Sequence, residues 1–222
     1  MQHQFYSLQK VAEIVNGQLV GAADERKISD LLIDSRHLMD ASQALFFALK
    51  SQRNDGHKYI EELYEKGVRA FVVKQRPEAS CPEAAFIVVA DTLKALQALA
   101  SYHRQQFSIP VIGITGSNGK TIVKEWLYQM LSPDYSIVRS PKSYNSQVGV
   151  PLSVWQMNES NELAILEAGI SEPDEMMALQ DVIRPTIGVF TNIGQAHEEN
   201  FINHAQKVGE KMNLFTKAES LV

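Results

Sequence analysis

The sequence predicts an α/β protein whose strands lie in largely parallel sheets. Three observations carry this expectation. Apolar runs of strand length alternate along the chain with segments of helical periodicity, the pattern of successive βαβ units. One such junction, from "VIGIT" to "IVKEWLYQML", is bridged by the glycine-rich stretch "TGSNGKT" at residues 115–121. The 222 residues are enough for one large or two ordinary domains, and 45% of them are apolar, ample for real cores.

In the first half, "LLIDS", "ALFFAL", "RAFVV" and "AFIVVA" read as short strands. Between them "HKYIEELYEKG" reads as a helix, with Tyr59, Ile60, Leu63 and Tyr64 on one face and Gly67 as its C-terminal stop. "DTLKALQALASYHRQQF" reads as a longer helix, capped by Asp91 and striped by Leu93, Leu96, Leu99 and Ala100. "SIP" then breaks the pattern and sets a domain boundary near residue 107, giving domains 1–107 and 108–222.

The second half restarts with the strand "VIGIT", the glycine loop and a helix whose Ile122, Val123, Trp126, Leu127, Met130 and Leu131 recur at helical spacing. "LAILEAG" at 163–169 and "TIGVFTN" at 186–192 read as buried strands. "EPDEMMALQDVI" between them reads as a helix, with Glu172, Asp174 and Glu175 at its positive N-terminal end. "HAQKVGEKMNLF" reads as a helix with Ala205, Val208, Met212 and Phe215 apolar. No internal repeat or low-complexity segment interrupts the pattern.

Composition narrows the function. A net charge of −5 gives no basic footprint, which argues against nucleic acid as a partner. No apolar run approaches the ~18 residues of a membrane span. The N-terminal stretch has no long apolar segment of the signal-peptide kind. Cys81 is the single cysteine, so it forms no internal disulfide and is read as structural. The expectation is a soluble, cytoplasmic globular protein.

A glycine-rich turn between a strand and a helix aims backbone N–H groups at an anion, phosphate above all. Lys120 can reach β- and γ-phosphates and the Thr121 hydroxyl can ligate Mg²⁺. The strict form of the pattern asks for a glycine where Ile114 stands, and an ordinary turn carrying Lys-Thr is the competing reading. Glu167 ends one strand and His197 follows another, so with Lys120 they are expected to converge at the carboxyl ends of a parallel sheet, where ligands bind. Carboxylate and imidazole are both cation ligands.

These residues resemble the Mur ligases, the ATP-dependent amide-forming enzymes of peptidoglycan synthesis. "GITGSNGKT" is similar to that family's phosphate loop, which also lacks the early glycine. "LEAGISEPDEM" resembles its Mg²⁺-binding glutamate segment, "TNIGQAHEENF" its histidine segment, and "YNSQVGVPLSV" a third shared stretch. "IDSR", "LFFAL" and "NDGHKYIEELYEKGVRAFVV" resemble its uridine-nucleotide domain. The resemblance is strongest to the type that joins D-alanyl-D-alanine to UDP-N-acetylmuramoyl-tripeptide, in a form fused ahead of an alanine racemase.

The resemblance implies an N-terminal α/β uridine-nucleotide-binding domain followed by part of a P-loop parallel-sheet ATPase domain. It assigns Thr115, Gly116, Ser117, Asn118, Gly119, Lys120 and Thr121 to ATP, and Thr121, Glu167 and His197 to metal. It makes Lys120, Glu167, His197 and Lys211 the catalytic candidates, Lys211 as a lysine of the kind that relatives carbamylate. Lys207 lies one turn earlier; two solvated surface lysines is the other reading. Asp34, Ser35, Arg36, Phe47, His57 and Asn145 are carried over as substrate-binding. For Asp34 and Arg36 a mutual ion pair at a strand end is the alternative. A complete Mur ligase has three domains, so the chain is expected to be an N-terminal fragment that exposes a sheet edge suited to self-association. The competing functions are a sister ligase of the MurE or folylpolyglutamate-synthase kind, a P-loop kinase or ATPase, and a non-catalytic nucleotide-binding scaffold.

Overall fold

The computed structural model describes residues 5–22, 26–51, 54–77, 81–194 and 200–222. Contacts divide the chain into two compact units, Gln2–Leu99 and Ala100–Val222. The division falls inside a helix, a few residues ahead of the boundary read from the sequence.

The first unit runs β1 (Tyr6–Ser7), α1 (Leu8–Ile14), β2 (Gln18–Gly21), β3 (Lys27–Ile28), β4 (Asp30–Leu32), β5 (Ala44–Phe47), α2 (Ile60–Glu65), β6 (Ala70–Val73), β7 (Ala85–Val88) and most of α3 (Thr92–Arg104). Its five-stranded sheet has the order β2-β7-β6-β5-β4. Only β2 runs antiparallel to its neighbour. β5 and β6 are buried at every residue, which is why they read as unbroken apolar runs rather than alternating ones. The expected stops and caps are in place. Asp91 Oδ1 accepts from the N–H groups of Leu93 and Lys94 at 2.9 and 3.0 Å. Gly67 follows α2 with φ +96°, a left-handed turn that suits glycine. β1, β2 and β3 went unread because two- to four-residue strands on an edge or in a separate ribbon carry little apolar signal.

The second unit runs β8 (Val111–Thr115), α4 (Lys120–Leu131), β9 (Ile137–Arg139), α5 (Gly149–Val154), β10 (Leu163–Glu167), α6 (Glu175–Ile183), β11 (Ile187–Phe190), α7 (His204–Met212) and β12 (Ser220–Leu221). All five strands are parallel, in the order β12-β11-β8-β10-β9. β8 sits at the centre. The chain leaves it toward β9 on one side and later returns past it to β11 on the other, so the strand order reverses beside β8. α5, α6 and the turn Asn213–Phe215 pack into a core with Val111, Leu166, Val182 and Leu214. α4 packs on Ile112, Ile114, Leu163 and Ile165 through Val123, Leu127, Tyr128 and Leu131.

Half of the apolar stripe expected on α4 does not face this core. Ile122, Trp126 and Met130 are 56%, 62% and 65% exposed, while Lys124 is fully buried. The roll of the helix is set by what Thr121 and Lys124 must reach, described below, and the apolar positions one residue out of phase are turned to the surface. Among the described residues no helix is long and apolar enough to cross a membrane.

His103, in the last turn of α3, is 2% exposed and its Nε2 lies 3.0 Å from the Met157 carbonyl. Its ring packs on Trp155 and Phe107 at 4.6 and 5.0 Å between centroids. Burial pushes its pKa down from 6.5 to about 4, against the hydrogen bond to Met157, which raises it. Below pH 6.5 the unfolded chain therefore binds a proton that the folded chain refuses, and stability falls as pH drops toward 4. Between pH 8 and pH 5 the loss from this group alone is about 2 kcal/mol. Denaturant unfolding across that range should show it, and His103→Gln, which does not titrate, should lose this part of the pH dependence.

Candidate active site

The carboxyl ends of β8, β10 and β11 meet beside the point where strand order reverses. In an open parallel sheet this is where a crevice forms. The chain leaves β8 through residues 116–119, and two of these are glycines in the left-handed region, Gly116 with φ +143° and Gly119 with φ +81°. Gly119 is the N-cap of α4. Having no side chain, it leaves the positive end of the helix open to an anion.

The loop is strapped to the segment that follows β11. Ser117 N donates to Asn192 O at 2.9 Å, Asn118 N to Asn192 Oδ1 at 3.1 Å, and Thr191 Oγ1 to Asn118 O at 2.6 Å. A Cβ on Gly116 would overlap the Thr191 hydroxyl. Lys120 folds back over the loop, its ammonium donating to Gly116 O at 2.9 Å and Ser117 O at 3.5 Å. Burial lowers its pKa, opposed by the Glu167 carboxylate. Thr115, expected to touch nucleotide, is fully buried, and its hydroxyl donates to Ala168 O at 2.8 Å. It ties β8 to the end of β10 instead of facing the crevice.

Glu167, the last residue of β10, has no exposed surface. Its Oε2 accepts from Thr121 Oγ1 at 3.1 Å and Asn145 Nδ2 at 3.3 Å. Its Oε1 has no aligned hydrogen bond, yet the Lys124 ammonium lies 3.0 Å away. That contact is one of charge on charge. Asn145, carried over as a substrate contact, therefore stands against the carboxylate. Thr121 and Glu167 present hard oxygen ligands beside a phosphate loop, the ligand chemistry that Mg²⁺ takes. Among the described residues no three His, Cys, Asp or Glu side chains gather, and His197 lies outside those residues.

α7 turns two lysines inward. Lys207 is 0% and Lys211 4% exposed, so the reading of solvated lysines is overturned. The expected apolar stripe is only part of the buried face, since Ala205 is exposed and Val208 and Met212 are half-buried. The Lys207 ammonium donates to Gly194 O, which also accepts from Ser117 Oγ at 3.3 Å. The Lys211 ammonium donates to Gly116 O at 3.4 Å. Burial, and then the charges of Lys120 and Lys207, bring its pKa down to about 8. Lys120, Lys211, Asn145, Gly116 and Gly169 line one cavity of about 170 Å³.

The first unit has its own cleft, about 450 Å³, lined by Asp34, Ser35, Arg36, Asn54, Tyr59 and Glu62. It opens beyond β4, at the short turn Ser35–His37. Arg36 grips Asp34 through Nε at 2.9 Å and Nη2 at 2.5 Å, and these hydrogen bonds hold the Asp34 carboxyl well below its usual range. The mutual ion pair weighed from the sequence is thus formed, though the Arg36 side chain remains 83% exposed at the cleft. Two carried-over residues do other work. Phe47 is fully buried in β5 and offers no surface to a ligand. His57 is tied at both ring nitrogens, Nδ1 to Asp55 Oδ1 at 2.7 Å and Nε2 as acceptor from Lys74 N at 3.0 Å.

Lys124 and Asn192 were missed. Lys124 falls within an apolar run on a helix, where a lysine reads as solvated surface. Its signal is spacing, because a residue three after Thr121 shares its face.

A parallel sheet with a lysine- and threonine-bearing glycine loop on its central strand is a P-loop nucleotide-binding architecture. Family comparison resolves the class further. Residues 27–104 match the model "Mur ligase family, catalytic domain" and residues 114–221 the model "Mur ligase middle domain". The chain belongs to the Mur ligase family. The UDP-N-acetylmuramoyl-tripeptide–D-alanyl-D-alanine ligase of Bacillus subtilis is 38% identical over 87% of this chain and 42% of its own length. A crystal structure of MurF from Acinetobacter baumannii superposes with a TM-score of 0.90 at 27% identity, over 98% of this chain and 48% of that one. MurF from Thermotoga maritima in complex with ADP superposes with a TM-score of 0.76 at 29% identity, over 86% of this chain and 43% of that one. The chain spans about half the length of the relatives it matches.

Because an added methyl at Gly116 meets Thr191 and the backbone of Asn192, Gly116→Ala should displace the loop. We expect a loss of nucleotide affinity of at least tenfold, measured by calorimetry, with far-ultraviolet circular dichroism little changed.

Proposed function

We propose that this chain supplies the nucleotide- and UDP-sugar-binding units of an ATP-dependent ligase of peptidoglycan precursor synthesis. The ligase joins D-alanyl-D-alanine to UDP-N-acetylmuramoyl-tripeptide in the cytoplasm. The observation that carries the reading is the grouping of Lys120, Thr121 and Glu167 around a glycine loop at the switch point of a parallel sheet.

In this chemistry the γ-phosphoryl group of ATP passes to the terminal carboxylate of the tripeptide, giving an acyl phosphate and ADP. The amine of D-alanyl-D-alanine then attacks the acyl carbon, phosphate leaves, the nitrogen loses a proton, and an amide remains. The demands are in-line positioning and neutralisation of phosphate charge. The backbone of residues 116–119 holds the phosphates at the start of α4. Lys120 leaves the Gly116 carbonyl and turns to the β- and γ-phosphates. The Thr121 hydroxyl and Glu167 Oε2 would hold Mg²⁺, which spreads the charge of the phosphates. Lys211, cationic or carbamylated, faces the same cavity from α7, and we assign His197 to a second metal position. Asn145 orients Glu167. The cleft at Asp34, Ser35 and Arg36 takes the uridine nucleotide, Arg36 offering its free edge to the diphosphate.

Two substitutions test the reading. Lys120→Ala removes the ammonium nearest the loop and should lower amide synthesis by the intact protein at least a hundredfold, on the scale of lost transition-state charge stabilisation. Glu167→Gln keeps the shape and removes a charge, so the Mg²⁺ concentration for half-maximal activity should rise steeply. Near-normal activity in the first, or an unchanged Mg²⁺ titration in the second, rules out the assigned roles.

A further inference from the structure

Lys124 is a buried cation of the phosphate-loop helix, and beyond setting the roll of that helix it has no role in the reading above. It has no exposed surface. An unpaired ammonium at such a place is strongly disfavoured, so its partners define its function. Its Nζ donates to Ser140 O at 2.8 Å and to Lys142 O, and lies 3.0 Å from Glu167 Oε1. Glu125 Oε1 is 3.3 Å away, and Glu125 is also paired with Arg139. Two of its N–H groups thus reach carbonyls on the loop after β9, while its charge rests against a carboxylate at the end of β10. That loop leads to Asn145, whose amide meets the other oxygen of Glu167.

The consequence is asymmetric. Oε1 of Glu167 is taken by a buried cation, and Oε2 by the Thr121 hydroxyl and the Asn145 amide, both neutral partners. The pair Lys124–Glu167 carries no net charge, while Lys120, Lys207 and Lys211 surround the loop with positive charge. With Lys211 unmodified, as it is in this structure, a bare divalent cation entering here meets one half-committed carboxylate against three ammonium groups. A cation that enters on a nucleoside polyphosphate brings the missing negative charge with it.

We propose that Lys124 is a positioning residue that presents Glu167 as a one-oxygen ligand, set for a divalent cation that arrives with the nucleotide and not alone. The proposal rests on the nucleotide reading of the phosphate loop given above and assigns the order of binding within it.

Mn²⁺, which takes the same oxygen ligands as Mg²⁺, is the probe, followed by electron paramagnetic resonance with and without ADP. The wild-type protein should bind Mn²⁺ with ADP present and at least tenfold more weakly without it. Lys124→Gln keeps a donor for the two carbonyls but loses the charge. It should bind ADP in EDTA within about twofold of wild type and bind Mn²⁺ in the ADP complex at least tenfold more weakly. Lys124→Met serves as a second variant, and Lys124→Met/Glu167→Gln, which leaves no unpaired buried charge, checks that the two residues act through one another. Once Glu167 is lost, removing Lys124 should cost no further Mn²⁺ affinity. Unchanged Mn²⁺ affinity in a folded Lys124 variant, additive losses in the double variant, or tight Mn²⁺ binding by wild type without ADP each overturns the proposal. Failure of the wild-type protein to bind ADP at all would instead remove the reading on which it stands.

Discussion

The second unit is organised around a buried negative charge at the carboxyl end of an inner strand. Glu167 has no exposed surface, and a carboxylate in that position is tolerated only if positive charge and hydrogen-bond donors surround it. Lys124 and Thr121 meet it from α4, and Asn145 meets it from the loop after β9. These contacts fix the roll of α4, since Thr121 and Lys124 lie three apart and must both face β10. The apolar residues Ile122, Trp126 and Met130 are left at the surface by the same geometry.

A second set of contacts closes the loop from the other side. Thr191 and Asn192, just past β11, bind the backbone of Ser117 and Asn118, and α7 brings Lys207 and Lys211 against the carbonyls of Gly194 and Gly116. The site is therefore assembled from three strand ends and two helices, with its cations resting on main-chain oxygens. Each of those resting contacts is weak beside a phosphate, because a carbonyl carries only a partial charge. A polyanion entering the cavity can recruit Lys120 and Lys211 with little rearrangement of the backbone.

The sequence made the second unit legible where local chemistry and apolar pattern agree. "VIGIT" and "LAILE" are strands at the positions read, and Thr121 at the start of α4 meets Glu167 at its strand end, while His197, the third residue expected to converge there with Lys120 and Glu167, lies outside the described residues. The glycine loop was readable because positive φ and an uncapped helix start leave a residue signature. What stayed hidden was direction. Periodicity alone put Trp126 inside and said nothing of Lys124, because it does not price a buried ion pair. On α7, Lys207 and Lys211 occupy the inward face that the pattern gave partly to Ala205 and Val208. In the first unit, Phe47 belonged to the core of a strand buried on both faces, and a motif alone could not separate it from Ser35 and Arg36, which line the cleft. The short strands β1, β2, β3 and β12 are held by pairing with neighbours far along the chain, so no local window contains their cause.

The role proposed for the glycine loop is to hold a nucleotide by its phosphates, with Lys120 released to meet them. A crystal structure of the protein with Mg²⁺ and a non-hydrolysable ATP analogue tests it most directly. We expect the β-phosphate at the start of α4, the Lys120 ammonium moved from the Gly116 carbonyl onto phosphate oxygen, and the metal on Thr121 and a single oxygen of Glu167 with Lys124 still on the other. A nucleotide bound elsewhere, or Lys120 still resting on Gly116 beside a bound nucleotide, would contradict it.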